Sequence, residues 1–139
     1  MATRSSIAVS HNGVIKAVYC HWDGYLDGVG ATLLEHYSSP KANYLVSLGN
    51  VSCLRPLIDP PVAVEHSFEQ PVEDVTVFYN RDRGEKDQDW QVFMSEDLWI
   101  EHYSDCEYFY LMDGGVWYVS TGGRFEPLHE AIHKENIDV

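Results

Sequence analysis

The stretch Tyr19-Cys20-His21-Trp22-Asp23-Gly24-Tyr25-Leu26-Asp27-Gly28-Val29-Gly30 leaves the chain few ways to fold. A strand-like run enters it and a helical pattern leaves it, so a strand must become a helix within a few residues. Gly24 is expected to supply a positive φ for the turn. Gly28 and Gly30 are expected to remove side chains where the helix start lies close against the sheet. Asp23 and Asp27 suit turn and N-cap positions, because a short carboxylate accepts from backbone N–H groups two or three residues on. One reading is a structural corner of pinned aromatics and clearance glycines. The other is a site, in which His21 and Asp23 stand beside a helix N-terminus whose free N–H groups hold an anion.

Upstream, Arg4 to Ser10 and Val14 to His21 flank Asn12-Gly13, the signature of a two-residue type I′ hairpin. That register sets Ile7 against Val18 and Val9 against Lys16 on the better core face. It sets Ser6 against Tyr19 and Arg4 against His21 on the other. Downstream, Val29, Leu33, Leu34 and Tyr37 fall at helical spacing. Ser39 as N-cap, Pro40 at the first helical position and Gly49 as a left-handed stop define a second helix. Residues 51 to 73 hold Pro56, Pro60, Pro61 and Pro71, which predicts an irregular arm.

Val75 to Asn80 and Trp90 to Met94 read as strands joined by the charged block Arg81-Asp82-Arg83-Gly84-Glu85-Lys86-Asp87-Gln88-Asp89. That block is either a solvated hairpin tip or a recognition loop, with Arg81 and Arg83 suited to clamping a phosphate or carboxylate. Ser95 is expected to cap a helix that packs through Leu98, Trp99 and Tyr103. Cys106 to Leu111 and Val116 to Ser120 form a third hairpin around Asp113-Gly114-Gly115. Its aromatics lie on both faces, so the second face needs a covering element or a partner, and a homodimer is one arrangement this allows. The fold expected is α+β, an antiparallel sheet of five or six strands in three hairpins with helices mainly on one face. Residues 1 to 139 make one domain, with 121 to 139 as a C-terminal helical extension.

That extension contains His129-Glu130-Ala131-Ile132-His133, which matches the H-E-x-x-H zinc pattern. Six residues follow it, with only Glu135 and Asp138 as nearby oxygen ligands, so His129 and His133 are weak metal candidates and no cofactor is expected. No Gly-x-Ser-x-Gly, Walker loop or Gly-x-Gly-x-x-Gly occurs. Cys20, Cys53 and Cys106 lack paired spacing and read as buried thiols of a reducing compartment.

The net charge of −13 is unevenly placed. Residues 1 to 58 carry Asp23, Asp27 and Glu35 against Arg4, Lys16, Lys41 and Arg55, while the remaining 19 acids and five bases lie from Asp59 onward. Such a surface disfavours nucleic acid and anionic membranes, and no apolar run is long enough to span a bilayer. A cytoplasmic location is expected.

Tyr19-Cys20-His21-Trp22-Asp23-Gly24-Tyr25, Gly28, Leu33-Leu34, Tyr37, Ser47-Leu48-Gly49-Asn50-Val51-Ser52, Arg81-Asp82-Arg83-Gly84-Glu85 and Trp117-Tyr118-Val119 together resemble a family of small bacteriophage and prophage proteins without an assigned activity. The resemblance covers roughly residues 4 to 120. It implies a phage accessory protein acting in the bacterial host cytoplasm, with no catalytic residue to carry over. The leading expectation is a binding protein for a host protein or host signal molecule, in a counter-defence role, with Arg4, His21, Trp22, Asp23, Tyr25, Arg81, Asp82, Arg83 and Glu85 as candidate contacts. A small hydrolase or transferase built on His21, Asp23 and the Arg81 to Glu85 loop is the second, and a virion structural or assembly protein the third.

Overall fold

The structure, a computed structural model, describes residues 2–137. Strands β1 (Ser5–His11) and β2 (Val14–Cys20) form the first hairpin. Asn12 and Gly13 both take positive φ, 52° and 80°, as a type I′ turn requires. The register is the expected one, with Ile7 opposite Val18, Val9 opposite Lys16 and Ser6 opposite Tyr19.

From Cys20 the chain bends into a π-helical turn, Leu26–Gly30, and continues as α1 (Ala31–His36). Positive φ falls on Asp23, at 57°, and not on Gly24. Asp tolerates the left-handed region, which frees Gly24 for a different task. A Cβ there would lie 2.8 Å from the Thr3 carbonyl oxygen and 2.9 Å from the Ser5 Cβ, so Gly24 lets the turn pass under the entry to β1. Gly28 gives similar clearance to the Asp23 carbonyl, and a Cβ at Gly30 would crowd the Tyr110 ring. The anion-holding helix start is not formed, because the Gly28 and Val29 N–H groups donate to the Tyr25 and Asp23 carbonyls. Neither carboxylate caps it: the N-cap residue is Tyr25, without a side-chain bond.

Helix α2 (Ser39–Ser47) starts one residue earlier than its pattern predicts, with Ser38 at the N-cap. Gly49 closes it with φ 93°. Three short strands follow, β3 (Val51–Cys53), β4 (Val77–Phe78) and β5 (Gln91–Phe93). Then come α3 (Glu96–His102), β6 (Tyr108–Asp113), β7 (Val116–Ser120), β8 (Glu126–Pro127) and α4 (Leu128–Ile137). Ser95 caps α3 as expected, its hydroxyl accepting from the Leu98 N–H at 3.2 Å.

The sheet has eight strands, ordered β4-β3-β2-β1-β6-β7-β8, with β5 also pairing to β2. It is larger than expected and mixed rather than wholly antiparallel. β1 runs parallel to β6, and β2 parallel to β3. Two of the three expected hairpins form. The segments around Val77 and Val92 do not pair with each other, because β4 joins β3 and β5 joins β2.

Both faces of the sheet are covered. Ile7, Val9, Val18 and Cys20 pack with Leu33 and Tyr37 near α1, Leu45 and Val46 of α2, and Leu128 of α4. Ala8, Ile15, Ala17 and Phe109 pack under Trp99 and Tyr103. Three helices thus lie on one face and α3 alone on the other. Leu98, assigned to the packing face of α3, is exposed. The aromatic strands find their cover within the chain: Tyr110 and Trp117 point into the first cluster and Phe109 into the second. No helix among the described residues is long and apolar enough to cross a membrane.

Candidate functional site

The end of β2 carries the densest group of chemically distinctive side chains. His21 and Trp22 continue the ladder to β3, their N–H groups donating to the Val51 and Ser52 carbonyls at 3.1 and 3.2 Å. This fixes where both side chains stand. His21 Nδ1 lies 2.7 Å from the Tyr19 hydroxyl. Burial raises the Tyr19 phenol to about 12. The phenol therefore stays protonated, and its contact with Nδ1 fixes the orientation of the imidazole ring. Burial and the charges of Arg4 and Arg83 depress the proton affinity of His21, so the ring is held neutral. Its edge meets Trp22, with ring centres 4.7 Å apart.

Trp22 and Phe68 line one cleft and the Arg83 guanidinium lies over the Phe68 ring, so the two blocks singled out in the sequence share one end of the molecule. They do not form a catalytic pair. No carboxylate contacts His21 among the described residues, and the Asp23 carboxylate accepts at 3.3 Å from the Tyr25 hydroxyl at the surface. Arg4 makes an exposed ion pair with Asp105 at 3.2 Å.

The Arg81 to Glu85 loop is a tight local turn rather than a hairpin tip. The N–H groups of Asp82 and Arg83 both donate to the Phe78 carbonyl, and that of Glu85 to the Tyr79 carbonyl. Of its first two side chains, Asp82 is buried and Arg81 lies part-exposed beside it. The Asp82 carboxylate, 3 % exposed, accepts from the Phe78 N–H at 2.8 Å and from Arg81 Nε at 2.9 Å, and lies 3.4 Å from His66 Nε2. His66 Nδ1 accepts from the Val72 N–H at 2.9 Å while Nε2 donates to the Thr76 carbonyl at 3.0 Å. Arg81 spends its remaining donors on Asp59 and the Thr76 carbonyl. Arg81 is therefore not free to clamp a ligand, contrary to expectation. Arg81, Asp82 and His66 instead pin the proline-rich arm to the sheet.

Arg83 and Glu85 are part-exposed and paired at 2.8 Å, with the pairing Glu85 Oε2 itself buried. The Arg83 guanidinium lies 4.2 Å from the Phe68 ring centre and 5.0 Å from that of Tyr79. Phe68 is itself placed by the loop, its N–H donating to the Asp82 carbonyl at 3.2 Å. Between the Trp22 turn, β3 and this arm opens a cleft of about 520 Å³, lined by Trp22, Cys53, Arg55, Phe68, Glu73 and Asp74 among others. Trp22 and Phe68 are 44 % and 47 % exposed. Asp74 is held at φ 65°, its carbonyl accepting from the Leu57 N–H at 2.9 Å, so the arm wall is set by backbone conformation.

Sequence reasoning missed Arg55, His66, Phe68, Glu73 and Asp74. The available signal was Phe68, a large aromatic set in the polar run Glu65-His66-Ser67 and Glu69-Gln70 of the proline-broken segment. His129, Glu130 and His133 are exposed on α4. Among the described residues no group of three or more His, Cys, Asp or Glu side chains gathers as a metal site. Asp138, named with the H-E-x-x-H string, lies outside the described residues.

The thiols near the site are poor nucleophiles. Burial raises Cys20 and Cys106 to about 12, and raises Cys53 as well. At pH 8 a thiol of that kind is ionised in roughly one copy in ten thousand. Iodoacetamide at pH 8 is therefore expected to label Cys20 and Cys106 only after denaturation, read by intact-mass spectrometry. Rapid labelling of Cys20 in the native chain would contradict its burial. No protein-family model, curated protein or solved structure matches the chain.

Proposed function

We infer that the protein is a non-catalytic binding protein of the phage type that takes up a small anionic signal molecule of the host in the Trp22 to Phe68 cleft, in a counter-defence role. One observation carries the reading. In a chain of net charge −13, Arg55 lines this cleft and Arg83 stands over one of its aromatic walls, beside two half-exposed aromatic rings. Exposed aromatics cost solvation unless something covers them, and arginines suit carboxylate and phosphate oxygens. A sequestering role needs affinity and a formed cleft but no acid, base or nucleophile. The buried thiols, whose ionisation is suppressed, accord with that requirement.

The test is native mass spectrometry of the purified chain after incubation with a deproteinised bacterial extract. The expected result is retention of a small anion by the wild-type chain and its loss in Arg83→Gln. A chain that retains nothing, or that retains the same species equally well in Arg83→Gln, would overturn the assignment.

A further inference from the structure

We propose that the ligand of this cleft is a nucleotide, its base against Trp22 and Phe68 and its phosphate on Arg55 and Arg83. The assignment rests on the reading of the cleft as a small-anion site and adds the class of the anion.

Three features narrow that class. Trp22 and Phe68 come from separate segments and both line the cleft with about half of their surface open. An inorganic anion or an aliphatic acid gains little from such rings, whereas a heteroaromatic base stacks on them. The indole is also held in place: its neighbour His21 meets it edge-on and is in turn bonded to Tyr19.

The second feature is a supply of unspent cationic donors. The Nε of Arg83 is paired with Glu85, and its two terminal nitrogens have no hydrogen-bond partner among the described residues. Among the described residues Arg55 donates Nη1 to the Leu54 carbonyl at 2.9 Å and lies against the Cys53 thiol, which leaves part of its fork unspent. Planar guanidinium forks match phosphate oxygens in pairs.

The third feature is opposite in sign. Glu73 and Asp74 line the same cleft. They repel a bare polyanion, yet they accept hydrogen bonds from an exocyclic amine, a ring N–H or a ribose hydroxyl. A ligand that satisfies all three must join a flat ring, a donor-bearing edge and a negative tail, and a nucleotide joins them. The cleft volume of about 520 Å³ lies in the range of small-molecule sites.

Isothermal titration of the full chain with ADP, GDP, UDP and pyrophosphate tests this, together with Trp22→Ala and Arg83→Gln. Both replaced side chains are exposed, and urea denaturation verifies that the variants fold. At least one nucleotide is expected to bind tenfold or more tightly than pyrophosphate. Trp22→Ala is expected to weaken that nucleotide by roughly tenfold or more and to leave pyrophosphate unchanged. Arg83→Gln is expected to weaken both. Pyrophosphate binding as tightly as the nucleotides, or no effect of Trp22→Ala, overturns the nucleotide class. So does the absence of nucleotide binding by a chain that still retains another small anion from extract, and in each of these cases the anion site stands. A chain that binds none of the four probes and retains nothing from extract overturns both assignments.

Discussion

Trp99→Ala is expected to lower folding stability by about 3–5 kcal/mol, the range for removing a large buried aromatic. Trp99 is fully buried and is the largest side chain on the α3 face of the sheet. Its indole meets Phe109 edge-on with ring centres 5.4 Å apart and stacks on Phe125 at 5.7 Å. Its Nε1–H donates to the Ser6 hydroxyl at 2.8 Å, and that hydroxyl donates to the Val18 carbonyl at 2.8 Å. Truncation therefore opens a cavity and also removes the donor to the buried Ser6 hydroxyl inside the central hairpin. A loss of that size approaches the whole stability of many domains, about 5–15 kcal/mol. Urea denaturation followed by circular dichroism gives the number. Trp99→Phe separates the two contributions, since it keeps most of the packing and loses the hydrogen bond, at a cost of about 1–2 kcal/mol. A Trp99→Ala variant within about 1 kcal/mol of wild type would show that α3 is not what covers this face.

The second large effect is expected at Asp82. Asp82→Ala removes the acceptor shared by the Phe78 N–H and Arg81 and empties the space beside His66, in a site where the Asp82 and His66 side chains are 3 % and 1 % exposed. Removing one partner of a buried charged network typically costs 3–5 kcal/mol. The partial exposure of Arg81 puts this case near the lower end, about 3 kcal/mol. The exposed Arg4–Asp105 pair supplies the contrast, since Asp105→Ala is expected to change stability by no more than about 0.5 kcal/mol. Hydrogen exchange adds a local readout. The amides of Phe68 and Val72, which bond to the Asp82 carbonyl and to His66, should lose protection in Asp82→Ala before the β1–β2 ladder does. Equal loss of protection in the arm and in the ladder would mean that the arm has no separate anchorage.

Local chemistry made part of this legible from the sequence. Asn12-Gly13 and Gly114-Gly115 carry the positive φ values their turns require, so both hairpins follow from residue type. The Ser95 cap follows for the same reason, whereas α2 begins one residue before the Ser39 cap its sequence suggests, and Ser38 makes no side-chain cap bond there. Choices made between distant segments were not legible. Val75 to Asn80 and Trp90 to Met94 look like partners because they are neighbours in sequence. Yet the Asp82 carboxylate caps Phe78 and folds the intervening residues into a local turn, which sends the two strands to different neighbours. Hydrophilicity makes Arg81-Asp82-Arg83-Gly84-Glu85 look solvated throughout. That Asp82 is buried becomes apparent only with His66, from the arm, in place beside it. The candidate site was half visible for the same reason: the Trp22 and Arg83 sides carried recognisable blocks, while Phe68, Glu73 and Asp74 gain meaning from the wall they share.

The parallel union of β1 with β6 also bears on how the chain reaches this state. Ser5 lies opposite Tyr108, so the central strand must wait for a neighbour synthesised 103 residues later (108 − 5), in a chain of 139. On the ribosome the first hairpin emerges early, with one long edge unpaired until β6 appears, and nascent chains in that interval are open to edge-to-edge association. Closing so large a loop before any contact rewards it places refolding in the slow regime of non-local topologies, on the order of milliseconds to seconds.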